Sequence, residues 1–147
     1  MQHTQKGQLF TDIVLEIFKV GGLLATEGDR LTREFGLSSA RWKVLGALEM
    51  STNPLTVPQI ARVMGLTRQA VQRLANAMEE DGLLAYQNNP HHKRANYVVL
   101  TGKGKEVYSM LSEKQTPWAN QNSKEISTAD LNTTLAALRK ITLLFET

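Results

Sequence analysis

Residues 55–101 read LTVPQIARVMGLTRQAVQRLANAMEEDGLLAYQNNPHHKRANYVVLT, and the spacing of caps, glycines and apolar residues in this stretch decides the fold class. Thr56 is followed three residues later by Gln59. At that spacing two side chains satisfy each other's orphan backbone donors at a helix start, with Leu55 and Ile60 placed as a hydrophobic staple. Ile60, Ala61 and Met64 share one face, and Gly65 ends the helix with the residue that turns left-handed at least strain. Thr67 caps the next helix, with Leu66 and Val71 as its staple. Val71, Leu74, Ala75 and Met78 form its buried stripe, and Gly82 is its stop. Two short helices joined by a turn of about three residues form a helix-turn-helix. Ala61 lets the helices approach, Gly65 turns the chain, and Val71 fills the angle between them.

The second helix leaves Arg68, Gln69, Gln72 and Arg73 on its outer face, starting beside Thr67 at its N-terminus. Guanidinium and amide groups are the side chains that pair with guanine and adenine edges and hold phosphates. Leu83–Gln87 and Asn96–Leu100 are rich in strand formers and predict a hairpin. Their connection, Asn88 to Ala95, is polar and carries His91, His92, Lys93 and Arg94. A basic-tipped hairpin behind such a helix is a wing. It can place Lys93 or Arg94 in a minor groove while the helix occupies the major groove.

The run from Leu37 to Gly104 resembles the MarR family of winged-helix transcription regulators. The likeness rests on SSARWKVLGALEM (residues 38–50), the helix-turn-helix, the Asn89-Pro90 start of the wing and its exit Leu100-Thr101-Gly102-Lys103-Gly104. It covers about half the chain. The family usually has an acidic residue ahead of the wing arginines, where this chain has His92, so the ion pair that stiffens the family's wing is missing its acid. The resemblance implies a winged helix-turn-helix, mainly α with a small β-hairpin wing, flanked by N- and C-terminal dimerisation helices. It also implies a regulatory ligand, often a small aromatic or phenolic anion, held between the DNA-binding and dimerisation parts. Trp42, Tyr108 and Trp118 are the aromatics available to line such a pocket, although aromatics at helical spacing more often build core.

The chain has 147 residues, 41% of them apolar, enough for one domain or a compact two-part protomer. Residues 37–105 hold nine Lys/Arg against four acids, a net +5 that leaves −2 for the remainder of a chain whose total is +3. A basic centre on an acidic frame suits a module that binds a polyanion. The chain has no cysteine, which excludes disulfides, thiolate metal sites and the thiol peroxide sensing found in some MarR-family proteins. No apolar run reaches the roughly 18 residues of a membrane span. The charges Lys6, Asp12, Glu16 and Lys19 argue against a secretory signal, so a soluble cytoplasmic protein is expected.

Outside the central stretch the chain reads as helical scaffold. Residues 1–7 are polar and expected to fray. Leu9, Phe10, Ile13, Val14, Ile17, Val20, Leu24, Leu31 and Phe35 then keep a helical period up to Gly36. Gly21-Gly22 interrupts that pattern and predicts either a bend or a close backbone neighbour, one bent helix being the reading preferred. A helix this long has more apolar face than a small domain can cover, so part of it is expected to meet a second chain. Ser38 or Ser39 caps the next helix, which buries Trp42, Leu45 and Leu48 and offers Arg41 as a phosphate contact near its start. Glu79, Glu80 and Asp81 are read as solvating the end of the recognition helix remote from DNA. Thr101 caps a helix in which Pro117 must introduce a kink, a break or a new start capped by Thr116. Ser127 caps the last helix, whose Leu131, Leu135, Leu138, Ile141 and Phe145 form a narrow stripe suited to helix pairing.

No catalytic constellation is present. The three histidines, His3, His91 and His92, have no spaced acids around them, so no metal site is expected. Neither Gly21-Gly22 nor Gly102-Lys103-Gly104 has the spacing of a nucleotide loop, and no cofactor is implied. The expected organisation is 1–36 as an N-terminal dimerisation segment, 37–105 as the DNA-binding domain and 106–147 as a C-terminal dimerisation segment. The expected function is a transcription repressor, acting as a homodimer on a pseudopalindromic double-stranded DNA operator and released by a small aromatic or phenolic effector. DNA contacts are expected from Arg41, Thr67, Arg68, Gln69, Gln72, Arg73, His92, Lys93 and Arg94. If His91 and His92 lie near phosphates, protonation would strengthen binding as pH falls. The alternative is a winged helix that binds another protein instead of DNA.

Overall fold

Helix α1 (Gln5–Thr32) starts at Thr4, whose Oγ1 accepts from the Gly7 amide at 2.9 Å. The residues expected to fray are therefore already capped and helical from Gln5. The computed structural model describes residues 1–146. In it α1 runs unbroken through Gly21-Gly22, and a Cβ on either glycine would find nothing within 4 Å in this chain. A single 3-10 turn (Arg33–Phe35) follows, and Gly36 closes it at φ 68°, the left-handed value that favours glycine.

Helix α2 (Ser39–Met50) is capped from two sides. Ser38 Oγ accepts from Arg41 N at 3.2 Å, and the α1 carboxylate Asp29 accepts from Ser39 N at 2.7 Å. The second bond places an anion at the positive end of the α2 dipole. Strand β1 (Leu55–Thr56) leads into α3 (Val57–Met64), where the expected capping box is complete. Thr56 N donates to Gln59 Oε1 at 2.8 Å, and Thr56 Oγ1 accepts from Gln59 N at 3.4 Å. Gly65 sits at φ 68°. Thr67 Oγ1 accepts from Ala70 N at 3.1 Å to start α4 (Arg68–Glu80), and Gly82 at φ 78° ends that corner.

Strands β2 (Leu84–Gln87) and β3 (Tyr97–Leu100) form the hairpin, each one residue shorter at its first end than the sequence suggests. Both are antiparallel, with Leu84 opposite Leu100 and Gln87 opposite Tyr97. The sheet has a third strand that the hydrophobic pattern did not reveal. β1 pairs with β3, Leu55 opposite Val98, giving the order β1-β3-β2. This pairing ties the loop-ward half of β3 to the entrance of the helix-turn-helix.

Helix α5 (Gly102–Asn122) carries Pro117 in its interior, so the proline neither ends a helix nor begins one. Thr116 does not cap; its hydroxyl donates back to Ser112 O at 3.0 Å. Helix α6 (Thr128–Phe145) begins at Ser127, whose Oγ accepts from Asp130 N at 3.1 Å.

The chain divides into two compact units, Met1–Leu111 and the residues from Ser112 onward. The first holds one core: Val44 and Leu45 of α2, Ile60 and Ala61 of α3, Val71, Ala75 and Met78 of α4, Leu84, Val98 and Leu111 are buried together. Trp42, Leu48, Leu74 and Tyr108 pack against this core while partly exposed. In the second unit no residue from 112 to 146 is buried. The leucines of α6 therefore face outward in the single chain, as do Leu9, Ile13, Val20 and Leu24 of α1.

Candidate nucleic-acid interface

Burial of Val71, Ala75 and Met78 fixes the rotation of α4. With one side locked into the core, Arg68, Gln69, Gln72, Arg73 and Asn76 are left exposed on the other, with Thr67 exposed at the cap. No acidic residue stands in the first turn of α4. Its free amides and positive dipole end are therefore open to an anion, and two arginines lie on the same turn or the next.

The wing stands across a cleft from this helix. Arg68, Gln69, Gln72 and Asn76 of α4 line it from one side, Tyr86, Arg94, Ala95 and Asn96 of the wing from the other, and Val57 and Pro58 of α3 also contribute to its lining. Of the expected contacts, the structure brings Arg68, Gln69, Gln72 and Arg94 to one opening. Arg73 is exposed on the same helix, and His91, His92 and Lys93 are exposed on the wing loop.

The wing keeps its shape without the acid–arginine pair that His92 displaces. Asn89 is buried and clamps the loop. Its Oδ1 accepts from His91 N at 2.9 Å, and its Nδ2 donates to Ala95 O at 3.1 Å. Two turn bonds, His92 N to Asn89 O and Ala95 N to His92 O, complete the loop. One amide that accepts and donates across the loop substitutes geometrically for an ion pair.

A second network joins the helix to the wing. Gln72 Nε2 donates to Asn76 Oδ1 and to Tyr86 OH, each at 3.0 Å, and Tyr86 OH donates to Asn76 Oδ1 at 2.6 Å. Burial raises the Tyr86 pKa above its ordinary value, the donation from Gln72 opposes this, and the charge of Glu79 adds to the rise. The hydroxyl therefore keeps its proton at neutral pH. Neither Asn76 nor Tyr86 was expected from the sequence, where Tyr86 reads simply as a strand former.

Arg41 is placed differently from its expectation as a phosphate ligand. Its Nη1 pairs with Asp81 Oδ2 at 2.6 Å, at the C-terminal end of α4. A phosphate would have to be met by its remaining donors. Asp81 is likewise more than a solvating charge. It receives Arg41 through its carboxylate and Lys103 Nζ through its backbone carbonyl at 2.8 Å, so three elements are stitched at one helix end. Trp42 and Tyr108 pack on the core of the first unit, and Trp118 is half-buried in the second.

Residues 35–95 match the sequence profile of the MarR family. The Mycobacterium tuberculosis protein Rv2011c is 35% identical over 129 residues, covering 88% of this chain and 89% of that protein. The chain belongs to the MarR family. As a MarR-family protein it is a DNA-binding transcription regulator, and that family is one of regulators, not enzymes. The transcriptional activatory protein BadR of Rhodopseudomonas palustris is 29% identical over 139 residues, 92% of this chain and 79% of BadR. The fold is that of CouR from Rhodococcus jostii RHA1, solved bound to p-coumaroyl-CoA. The TM-score is 0.79 at 20% identity, over 92% of this chain and 94% of CouR. None of the described helices of this MarR-family regulator is long and apolar enough to cross a membrane.

Proposed function

We propose that this MarR-family regulator acts as a homodimer on a pseudopalindromic operator, with residues 37–105 touching DNA and the flanking helical segments joining the protomers. The cleft shared by Arg68, Gln69, Gln72 and Arg94 carries the reading of the DNA contacts. A polar helix face and a cationic wing that open the same way suit a major groove and its neighbouring minor groove. Arg73, Lys93, His92 and the α4 N-terminus at Thr67 add phosphate contacts. The dimer is supported by the outward leucines of α6, in a unit with no buried residue among those described. An isolated helix of this length is marginal in water, and its stability must come from packing. The space beside Gly21-Gly22 leaves room on α1 for a second backbone.

An aromatic or phenolic effector that stacks on Trp42, Tyr108 or Trp118 would release the operator. The p-coumaroyl-CoA bound by CouR carries a phenolic acyl group of that chemistry. We take the outcome of binding to be repression, through an operator that overlaps a promoter. The name of BadR supports a second reading, activation, in which the operator lies upstream.

Selection of fragments from a random double-stranded pool tests the function. The expected product is an inverted repeat whose half-sites lie about 10 base pairs apart, centre to centre. A pool that stays unenriched, or that yields a single unpaired half-site, would contradict the proposal.

A further inference from the structure

The network of Gln72, Asn76 and Tyr86 spends hydrogen-bonding capacity in a way that constrains what the recognition helix can read. Both protons of Gln72 Nε2 are used inside the protein, one on Asn76 Oδ1 and one on Tyr86 OH. Asn76 Oδ1 accepts twice, from Gln72 and from Tyr86. What remains is the carbonyl Oε1 of Gln72, an acceptor, and the amide Nδ2 of Asn76, a donor. Neither makes a hydrogen bond among the described residues, and both belong to exposed side chains that line the cleft.

The tyrosine hydroxyl has one proton to give. Turning either amide alone would bring two carbonyl oxygens or two amide nitrogens face to face, so the amides can turn only as a pair. Free glutamine or asparagine on a helix can swap its donor and acceptor at little cost. In this pair neither amide swaps independently, so it always offers one acceptor and one donor.

We infer that Gln72 and Asn76 read adjacent bases as one polar unit, with Tyr86 of the wing as the positioning residue that holds the two amides against each other, so that neither turns alone. The inference rests on the proposed DNA contact of α4. In the observed polarity Gln72 takes an exocyclic amine, adenine N6 or cytosine N4, and Asn76 gives to an acceptor such as guanine O6 or N7 or thymine O4. The wing thereby contributes to sequence choice in the major groove without touching a base there.

The test is fragment selection with the full-length wild type, Tyr86→Phe and Asn76→Ala, alongside binding to unrelated DNA. Phenylalanine keeps the ring in place and removes only the hydroxyl. Asn76 is an exposed helix residue whose replacement by alanine leaves the fold intact. The base positions at which Asn76→Ala loses preference mark the pair's footprint. At those positions Tyr86→Phe should also reduce discrimination, from about tenfold to about twofold. Preferences elsewhere in the operator, and affinity for unrelated DNA, should stay as in the wild type. Unchanged preferences within the footprint would overturn the inference. So would an even loss across the whole operator, since that marks a merely structural tyrosine. If the wild type itself selects no sequence, the DNA-contact reading fails first and the inference goes with it.

Discussion

Replacing Gly104 by alanine should destabilise the first unit by about 3 kcal/mol, at the upper end of what overpacking costs. Helix propensity argues the other way. Alanine in place of glycine inside a helix is worth up to about 1 kcal/mol in favour of the variant. Geometry decides the sign. A Cβ on Gly104 would lie 2.2 Å from the carbonyl oxygen of Leu83 and 3.2 Å from its carbon, both backbone atoms. That oxygen is held in place, because it accepts from Thr101 N at 3.1 Å while Leu83 N donates to Met78 O at 2.9 Å. The Thr101 hydroxyl accepts from Gly104 N and donates to Gly82 O, which draws the start of α5 against the corner between α4 and β2. A methyl group must push these apart and disturb the base of the wing. Gly102→Ala is the control, since the space around Gly102 is open, and it should change stability by less than about 0.5 kcal/mol. Urea unfolding of the two variants measures the difference. Equal stabilities would show that the corner yields easily.

The second large effect is expected from Leu135→Asp combined with Leu138→Asp. These leucines are 46% and 39% exposed in the single chain. If α6 pairs with the partner, a dimer loses four buried leucines at about 2 kcal/mol each, before any cost of burying charge. About 8 kcal/mol corresponds to roughly a million-fold in the dissociation constant of the dimer. The variant should sediment as a monomer at micromolar concentration and lose operator binding, because one half-site holds only half the contacts. An unchanged dimer would place the protomer interface elsewhere.

These expectations draw on parts of the molecule that were legible in the sequence to different degrees. The helix-turn-helix was readable because its signals are local. Thr56 with Gln59, Thr67, Gly65 and Gly82 act within four residues of themselves, and each performs the role its spacing implied. The outward faces of α4 and α6 followed from periodicity. What escaped the sequence is non-local. The two residues of β1 are too few for a pattern, and only the partner strand β3 makes them a strand. Arg41 and Asp81 lie 40 residues apart, and no spacing rule joins them. Tyr86 alternates acceptably along a strand, but its hydroxyl acquires a role only when the hairpin folds back on α4. Pro117 shows the reverse case. A strong local breaker sits inside a continuous helix, so its local cost is offset by the rest of the helix.

The central claim is that the α4 face and the wing together neutralise DNA phosphates on both protomers. Its most direct test is the salt dependence of binding to the selected operator, for the wild type and for Arg73→Ala and Arg94→Ala. Each substitution removes two contacts per dimer, so log affinity against log salt should become shallower by about 1.8 for each variant. A wild-type affinity indifferent to salt, or variants that keep the wild-type slope, would contradict the account.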